Sequence, residues 1–444
     1  MRKLSIAVGI GLLVFAFSSY VFEFDQAKLL GVVAFLVTLW TNEGLPLGVV
    51  SLLPVIIFPT VGIMDLESTV PNYSKSIIFL FLGGFLLAIA MQKSGLTEYI
   101  AAKLMTLFPK TARGVIYSLA VTSAVLSAFL SNTTVTIMLL PIALYLTKEI
   151  KLKVKYLIAI AYGASIGGIF TPIGTPPNLI LLGFLEDVNL PAPTFVEWMW
   201  LTAPIVLFML LVIPWILSRD VKDYKIEIKG GEYILSYQQK RLLVIILTLI
   251  ALLLANPFLK SFFGFGLNEK ILLLSFGLLL FLPNISLLCW EDTKQIPYEI
   301  IFLFGAGFSI AAAFIKTGLA NSIAEYLEIF GSYPLPVVLL LLALFVSFST
   351  EITSNTALTS IMLPVVYEFA KNSSFNPEIL LFSATIAASY AFMLPIATPP
   401  NAIVMSSGVI KIKEMAKIGF FVNLIGVIVV TVVAVTLWRW YFGA

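Results

Sequence analysis

Two segments of the chain carry the same motifs at one constant spacing. Ser131-Asn132-Thr133 recurs as Ser354-Asn355-Thr356, and the heptapeptide 172–178 recurs with one change as 395–401, both 223 residues later (354 − 131 and 395 − 172). The same spacing relates Lys93, Gly95, Leu96 and Pro141 to Lys316, Gly318, Leu319 and Pro364. A single spacing that holds without a gap indicates duplication. Residues 77–178 and 300–401 are therefore two copies of one unit.

The composition places these copies in a membrane. Of 444 residues, 60% are hydrophobic and 11% are charged, and the mean hydropathy is +1.03. Soluble proteins average about 45–50% and about 25%. Apolar stretches such as 201–217, 242–255 and 336–348 are typical of a polytopic, all-α membrane protein.

Several function classes are disfavoured by the same composition. The chain has no histidine and one cysteine, Cys289, so the commonest metal ligands are missing. An intramembrane enzyme would lack both a histidine base and a paired aspartate, so we expect no enzyme and no cofactor. Because 27 Lys and Arg are offset by 24 Asp and Glu, nucleic acid is not an expected partner.

Apolar stretches predict about eleven crossings. They are 4–21, 27–41, 45–62, 76–94, 154–185, 199–218, 239–258, 269–285, 298–316, 377–409 and 415–440, with breaks near 171–178 and 394–401. Two further stretches, 113–147 and 336–370, are interrupted midway by the Ser-Asn-Thr motifs, and each could be a re-entrant hairpin or two full crossings. Three small polar residues at mid-depth favour the hairpin.

Lysine and arginine positions predict opposite orientations for the two copies. Seven basic residues flank the first interrupted stretch: Lys103, Lys110, Arg113, Lys148, Lys151, Lys153 and Lys155. The matching window 326–378 has only Lys371. The positive-inside rule then places the open end of the first hairpin (its base), the linker 219–241 and the N-terminus in the cytoplasm. It places the base of the second hairpin and the C-terminus outside. Inverted copies with broken helices are typical of a secondary transporter with a midplane site, whereas a channel does not need them.

The motifs suit ion binding. Ser131 and Asn132 are good N-cap residues, so each hairpin's second arm would begin at its tip and aim free N–H groups at an anion. Carbonyl, Ser and Asn oxygens at the same tip could hold a small cation. Two consecutive prolines open each broken helix, and Gly174 and Ala397 allow close backbone approach there.

Two other features are less symmetric. Glu351 has Ala128 as its counterpart, so it is either a functional intramembrane carboxylate or a cap for backbone at the second tip. Gly83-Gly84 and Gly305-x-Gly307 predict close helix packing.

Nearly the whole chain resembles the divalent anion/sodium symporter family. The resemblance rests on the paired Ser-Asn-Thr tips, the paired Thr-Pro-Pro-Asn loops, and the stretch 388–404, which is similar to the family's sodium:sulfate signature. It implies a homodimer of eleven spans plus two opposed re-entrant hairpins, with scaffold and elevator-type transport parts. The expected segments are 1–112 (first scaffold), 113–218 (first transport region), 219–241 (cytoplasmic linker), 242–335 (second scaffold) and 336–444 (second transport region).

The resemblance also implies site residues. The first sodium site would use Ser127, Ser131, Asn132 and Gly174, and the second would use Thr350, Thr353, Ser354, Asn355 and Ala397. The substrate would meet Asn132, Thr133, Asn355 and Thr356, with Thr398 and Pro399 nearby. Leu130 faces Thr353 in the repeat, which leaves the first cation site with one polar side chain fewer.

The expected function is sodium-coupled import of C4-dicarboxylates such as succinate, fumarate and malate across the inner or plasma membrane. Two alternatives stay open from the sequence, a sodium-independent dicarboxylate exchanger and a sodium:sulfate symporter.

Overall fold

The computed structural model describes residues 2–226, 234–264 and 266–443. Within them the regular structure is helical, apart from an isolated bridge between Thr111 and Lys225. The predicted all-α class is therefore confirmed. Parts of the predicted segments that fall on 1, 227–233, 265 and 444, including Lys229 of the linker, lie outside the described residues.

Twenty-one α-helices follow one another in the described chain. The first ten are α1 (Arg2–Ser18), α2 (Phe24–Asn42), α3 (Leu47–Thr60), α4 (Leu66–Thr69), α5 (Ser76–Lys93), α6 (Leu96–Met105), α7 (Ala112–Ser127), α8 (Asn132–Tyr145), α9 (Ile150–Ile169) and α10 (Pro176–Asp187). The others are α11 (Phe195–Ser218), α12 (Tyr237–Phe263), α13 (Glu269–Leu279), α14 (Tyr298–Lys316), α15 (Leu319–Leu327), α16 (Leu335–Ser349), α17 (Asn355–Asn372), α18 (Pro377–Ala388), α19 (Pro399–Ser406), α20 (Ile412–Val433) and α21 (Arg439–Tyr441). Short 3₁₀ or π segments lie at Val70–Ser74, Trp290–Gln295, Glu328–Ser332 and Ala434–Trp438.

Helix length bears on whether the two interrupted stretches are hairpins or full crossings. Seven helical stretches of the described chain are long and apolar enough to cross a membrane. The hairpin arms α7, α8, α16 and α17 have 16, 14, 15 and 18 residues, and each is shorter than the roughly 20 that a crossing needs. Short arms are what a re-entrant hairpin requires, so the lengths favour hairpins over full crossings.

The 223-residue spacing extends to the helices themselves. It superposes the bounds of α5 on α14, α6 on α15, α7 on α16, α8 on α17, and α10 on α19 to within a few residues. It also relates α3 to α13, and α2 to the later part of α12, which begins ten residues earlier than the spacing gives (237 against 24 + 223). These helices lie outside the segments 77–178 and 300–401 where the motifs recur. The duplicated unit is therefore longer than the motifs indicate.

The two copies exchange helices. α3 of the first copy packs on α14 of the second, and α13 of the second packs on α5 of the first. One predicted glycine contact occurs at the crossing of α5 and α13, since a Cβ on Gly83 would overlap the backbone of Leu273. Another occurs where α14 packs on the 3₁₀ segment Val70–Ser74, since a Cβ on Gly305 would overlap the ring of Tyr73. Neither copy forms its packed core alone.

The hairpins are shared in the same way. α8 packs on α19, and α10 packs on α17, so the second arm of each hairpin lies against the broken helix of the other copy. This exchange brings the four interrupted elements together at one central cavity.

Candidate functional site

The central cavity is lined by polar residues in pairs related by the repeat. Its volume is about 210 Å³, below the roughly 300–1,000 Å³ of pockets for drug-sized ligands. Four pairs contribute: Ser131 and Ser354, Asn132 and Asn355, Thr133 and Thr356, Thr175 and Thr398. Gly174, Ala397 and Pro399 line it as well, and Phe81, Phe85 and Phe129 supply an apolar wall. The size suits a small solute.

Four helices begin at this cavity. α8 starts at Asn132, α17 at Asn355, α10 at Pro176 and α19 at Pro399, and all four residues line it. A helix N-terminus carries a partial positive charge. Free N–H groups come from α8 and α17, because α10 and α19 each begin with two prolines, which have no N–H. None of the described residues that line the cavity is charged. The arrangement therefore attracts an anion through backbone dipoles alone.

The first hairpin tip is organised by its N-cap. The Ser131 hydroxyl accepts the N–H of Thr134 at 3.2 Å, as the sequence predicts. The first intrahelical bond runs from Val135 N to Ser131 O, which leaves the N–H groups of Asn132 and Thr133 before it. Ser127 does not line the cavity, but its hydroxyl donates to Asn132 Oδ1 at 2.5 Å. The structure thus brings Ser127, Ser131 and Asn132 together.

The second tip repeats this geometry with differences. Thr350 donates to Asn355 Oδ1 at 2.5 Å, in the same register as Ser127 and Asn132. Ser354 is the N-cap residue of α17, but its side chain makes no capping hydrogen bond. The Thr353 hydroxyl donates to Ser349 O at 2.9 Å, and Thr353 does not line the cavity. Of the five residues expected for the second cation site, Thr350, Ser354 and Asn355 lie together at the tip. Ala397 lines the cavity from the opened loop, and the Thr353 hydroxyl is bonded to the end of α16 instead.

Asparagines at the end of each Thr-Pro-Pro-Asn motif hold the opened helices in place. Asn178 Nδ2 donates to Gly168 O and Thr171 O at 3.0 and 2.8 Å. Asn401 Nδ2 donates to the equivalent carbonyls of Ala391 and Leu394 at 2.9 and 3.1 Å. Buried carbonyls freed by a broken helix need such donors. Sequence reasoning attached no role to these asparagines, although their position in a paired motif was the available signal.

Close backbone contact brings the first opened loop against the first tip. A Cβ on Gly174 would lie 2.5 Å from Gly168 O, and one on Gly168 would lie 2.7 Å from Asn132 Oδ1. Glycine is required at both places because neither has room for a side chain. The second copy has Ala391 and Ala397 there, so its loop is less tightly packed.

Two threonines precede the proline pairs. Thr398 lines the cavity, is buried, and its hydroxyl has no partner within the described chain. Thr175 is its repeat equivalent and lines the cavity too. A buried hydroxyl without a partner is costly unless a ligand supplies one. Thr175 is absent from the residues expected above, and the repeat spacing alone could have found it.

Glu351 lies behind the second tip, outside the cavity lining. Its carboxylate accepts the N–H groups of Met393 and Leu394 at 2.8 and 2.9 Å and the side-chain amide of Asn423 at 2.7 Å. The side chain is 3% exposed. Of the two interpretations left open by the sequence, the observed contacts are those of a cap for opened backbone.

The cavity can hold an anion, and its neutral oxygens can hold a small cation beside it. Among the described residues no group of three His, Cys, Asp or Glu could bind a metal ion. A cation would therefore be held by Ser, Thr, Asn and carbonyl oxygens, which are the hard ligands that such ions prefer.

Comparisons with known proteins agree with this chemistry. A family model described as citrate transporter (CitMHS) matches residues 34–387. The sodium-dependent dicarboxylate transporter SdcS of Staphylococcus saprophyticus is 32% identical over an alignment of 465 positions, which covers 96% of this chain and 89% of that protein. SdcS of Staphylococcus aureus (strain USA300) is 31% identical over 91% of this chain and 84% of that protein.

A solved structure gives the same fold. The YdaH transporter of Alcanivorax borkumensis, described as having an unusual topology, superposes with a TM-score of 0.56 at 17% identity, covering 85% of this chain and 88% of that one. At this identity the likeness concerns the fold alone.

Proposed function

The chain belongs to the divalent anion/sodium symporter family, and from this premise we propose that it imports C4-dicarboxylates such as succinate, fumarate and malate together with sodium ions. Members of this family are transporters, so the chain is a transporter and not an enzyme. Both SdcS relatives are named for sodium-dependent dicarboxylate transport.

The convergence of four helix N-termini on an uncharged cavity carries the proposal. A dicarboxylate has two negative charges at its two ends, and the cavity has two equivalent tips to receive them, one with Asn132 and Thr133 and one with Asn355 and Thr356. The free hydroxyl of Thr398 supplies a further donor. Helix dipoles alone are modest in strength.

Bound sodium ions would compensate the rest of the substrate's negative charge. Burying a dianion where no Lys or Arg lines the cavity is costly unless counter-charges accompany it. We place one cation by Ser127, Ser131, Asn132 and Gly174, and a second by Thr350, Ser354, Asn355 and Ala397. Because each Asn would serve a cation and a carboxylate, the binding of the two is coupled.

An elevator movement fits the division into parts. The hairpins and broken helices (113–218 and 336–444) would move as a transport region, against scaffold segments 1–112 and 242–335. Support comes from the packing of α8 on α19 and α10 on α17, which joins the moving elements of both copies. We also propose a homodimer in the inner or plasma membrane, with the N-terminus inside and the C-terminus outside.

Uptake into proteoliposomes tests the function. Labelled succinate should enter when sodium outside exceeds sodium inside, and replacing external sodium by choline should abolish net uptake. Equal uptake in choline, with counterflow against internal succinate, would instead identify a sodium-independent exchanger. Uptake of labelled sulfate but not of labelled succinate would identify a sulfate symporter. Labelled citrate belongs among the solutes tested because the matching family model is described as citrate transporter.

A further inference from the structure

A second cavity, here called the lateral cavity, lies between the scaffold helix α12 and the transport elements α7 and α11. Its volume is about 300 Å³. Leu243 and Leu254 on α12, Val125 on α7 and Met199 on α11 line it. None of the functions proposed above uses this space.

Every described residue that lines the lateral cavity is apolar. A buried water needs two to four polar partners, and this lining offers no side-chain donor or acceptor. An unfilled space of this kind forfeits dispersion contacts on all its walls. The physical chemistry of the lining therefore favours a hydrocarbon occupant.

The cavity opens on an exposed apolar surface beside the candidate span α12. Val125, Leu247 and Leu254 line it and are 40%, 54% and 49% exposed. α12 is the least buried of the seven candidate spans, because only 17% of its apolar stretch is buried. The hydrocarbon available at this opening is the acyl chain of a membrane lipid.

Its length matches one leaflet. Leu243 and Leu254 are eleven residues apart on one helix, which corresponds to about 16 Å at 1.5 Å per residue. Half of a hydrocarbon core about 30 Å thick is about 15 Å. A chain that enters beside α12 can lie along the cavity for the depth of its own leaflet.

We propose that a phospholipid acyl chain occupies the lateral cavity, between the scaffold and the first hairpin. The acyl chain would contact the wall of the central cavity, because both cavities are lined by Gly84, Ala88, Phe129 and Ile173. The lipid is thereby an integral packing element of the interface across which transport regions would move. This proposal does not depend on which solute is carried.

Photolabelling tests the proposal directly. The full-length protein is placed in nanodiscs that contain a phosphatidylcholine with a diazirine on one acyl chain, irradiated, digested and mapped by mass spectrometry. Leu126 and Leu253 are 2% and 4% exposed and line the lateral cavity, so bulk lipid does not reach them. We expect adducts on these residues as well as on the exposed Leu211.

A filling variant and a matched control complete the experiment. Ile250→Trp adds bulk into the cavity and should remove the adducts on Leu126 and Leu253. Val244→Trp places the same bulk on α12 at a residue that is 62% exposed and does not line the cavity, and should leave them unchanged. Adducts confined to exposed residues in the unsubstituted protein would overturn the proposal, even if Ile250→Trp fails to fold. The proposal would also be overturned if a folded Ile250→Trp variant kept its adducts on Leu126 and Leu253. The same holds if a free diazirine fatty acid labelled these two residues and the diazirine phospholipid did not.

Discussion

Glu351 contacts Leu394 at the positions where the first copy places Ala128 against Thr171. In the second copy the Glu351 carboxylate accepts the N–H of Leu394 at 2.9 Å. In the first copy the Thr171 hydroxyl donates to the carbonyl of Ala128. Both contacts fasten a hairpin tip to the opened helix behind it, and in both the opened helix donates and the tip accepts. What differs is the atoms: a backbone N–H donates to a side-chain carboxylate in the second copy, and a side-chain hydroxyl donates to a backbone carbonyl in the first. The second fastening is charged and has three donors, whereas the first is a single neutral hydrogen bond.

Removing the charged fastening should destabilise the protein more than removing the neutral one. Glu351→Ala leaves three buried donors without an acceptor, at a cost of about 3 kcal/mol or more, whereas Thr171→Val loses one hydrogen bond, about 1 kcal/mol. Thermal unfolding of the purified variants should show a clearly larger fall in melting temperature for Glu351→Ala. Equal falls would mean that the carboxylate does not hold the loop.

Asn132→Ala and Asn355→Ala should each abolish measurable uptake and leave the fold intact. The side-chain oxygens of the two asparagines accept hydrogen bonds from the hydroxyls of Ser127 and Thr350, and both asparagines line the cavity. Losing one partner of a charged ligand costs about 2–3 kcal/mol, or roughly 30- to 150-fold in affinity. Asn372→Ala, an exposed asparagine at the end of α17, is the control. Near-normal uptake by either tip variant would make the tips merely structural.

Opposite bases of the two hairpins should face opposite sides of the membrane. Lys148 and Lys371 are exposed near those bases. In a Cys289→Ser background, Lys148→Cys should react with an impermeant maleimide only from the cytoplasm and Lys371→Cys only from outside. Reaction of both from one side would refute the inverted orientation.

The thiol of Cys289 should be slow to alkylate although it is exposed. Its S–H donates to the Asp292 carboxylate at 3.2 Å, and this contact raises the pKa of the thiol. Because a raised pKa lowers the thiolate fraction at any pH below it, Asp292→Asn should accelerate iodoacetamide labelling at pH 7.5. Asp65→Asn removes a carboxylate paired with Lys316 in the other copy and should leave the rate unchanged. An unaltered rate in Asp292→Asn would contradict the contact.

The pH dependence of uptake between pH 6 and 8 should follow the ionisation of the substrate. The chain has no histidine, and none of the described residues that line the cavity is titratable. Initial rates for fumarate, the stronger diacid, should therefore vary less than those for succinate. Identical steep profiles for both substrates would mean that a group on the protein titrates, and Glu351→Gln would then be the variant to measure.

The sequence predicted the parts of the fold that repeat a chemical requirement. Backbone opened inside a membrane needs polar partners, and both copies supply them with a Ser-Asn-Thr tip and open the following helix with a proline pair, so the two motifs locate the cavity. The equivalence of α3 and α13 could not be predicted in this way, because the two helices share no motif at the repeat spacing. Nor could the position of Thr353, since a threonine hydroxyl that bonds its own helix has the same sequence as one that faces a ligand.

The exchange of α3 and α13 between the copies imposes an order in time on the making of this protein. α3 is synthesised about 250 residues before α14, the helix on which it packs (298 − 47). At about 5–20 residues per second, it must wait roughly 10–50 s for its partner. During that interval its apolar sides face lipid, which tolerates them as water would not. The first half of the molecule therefore remains incompletely packed in the membrane until the second half has been translated.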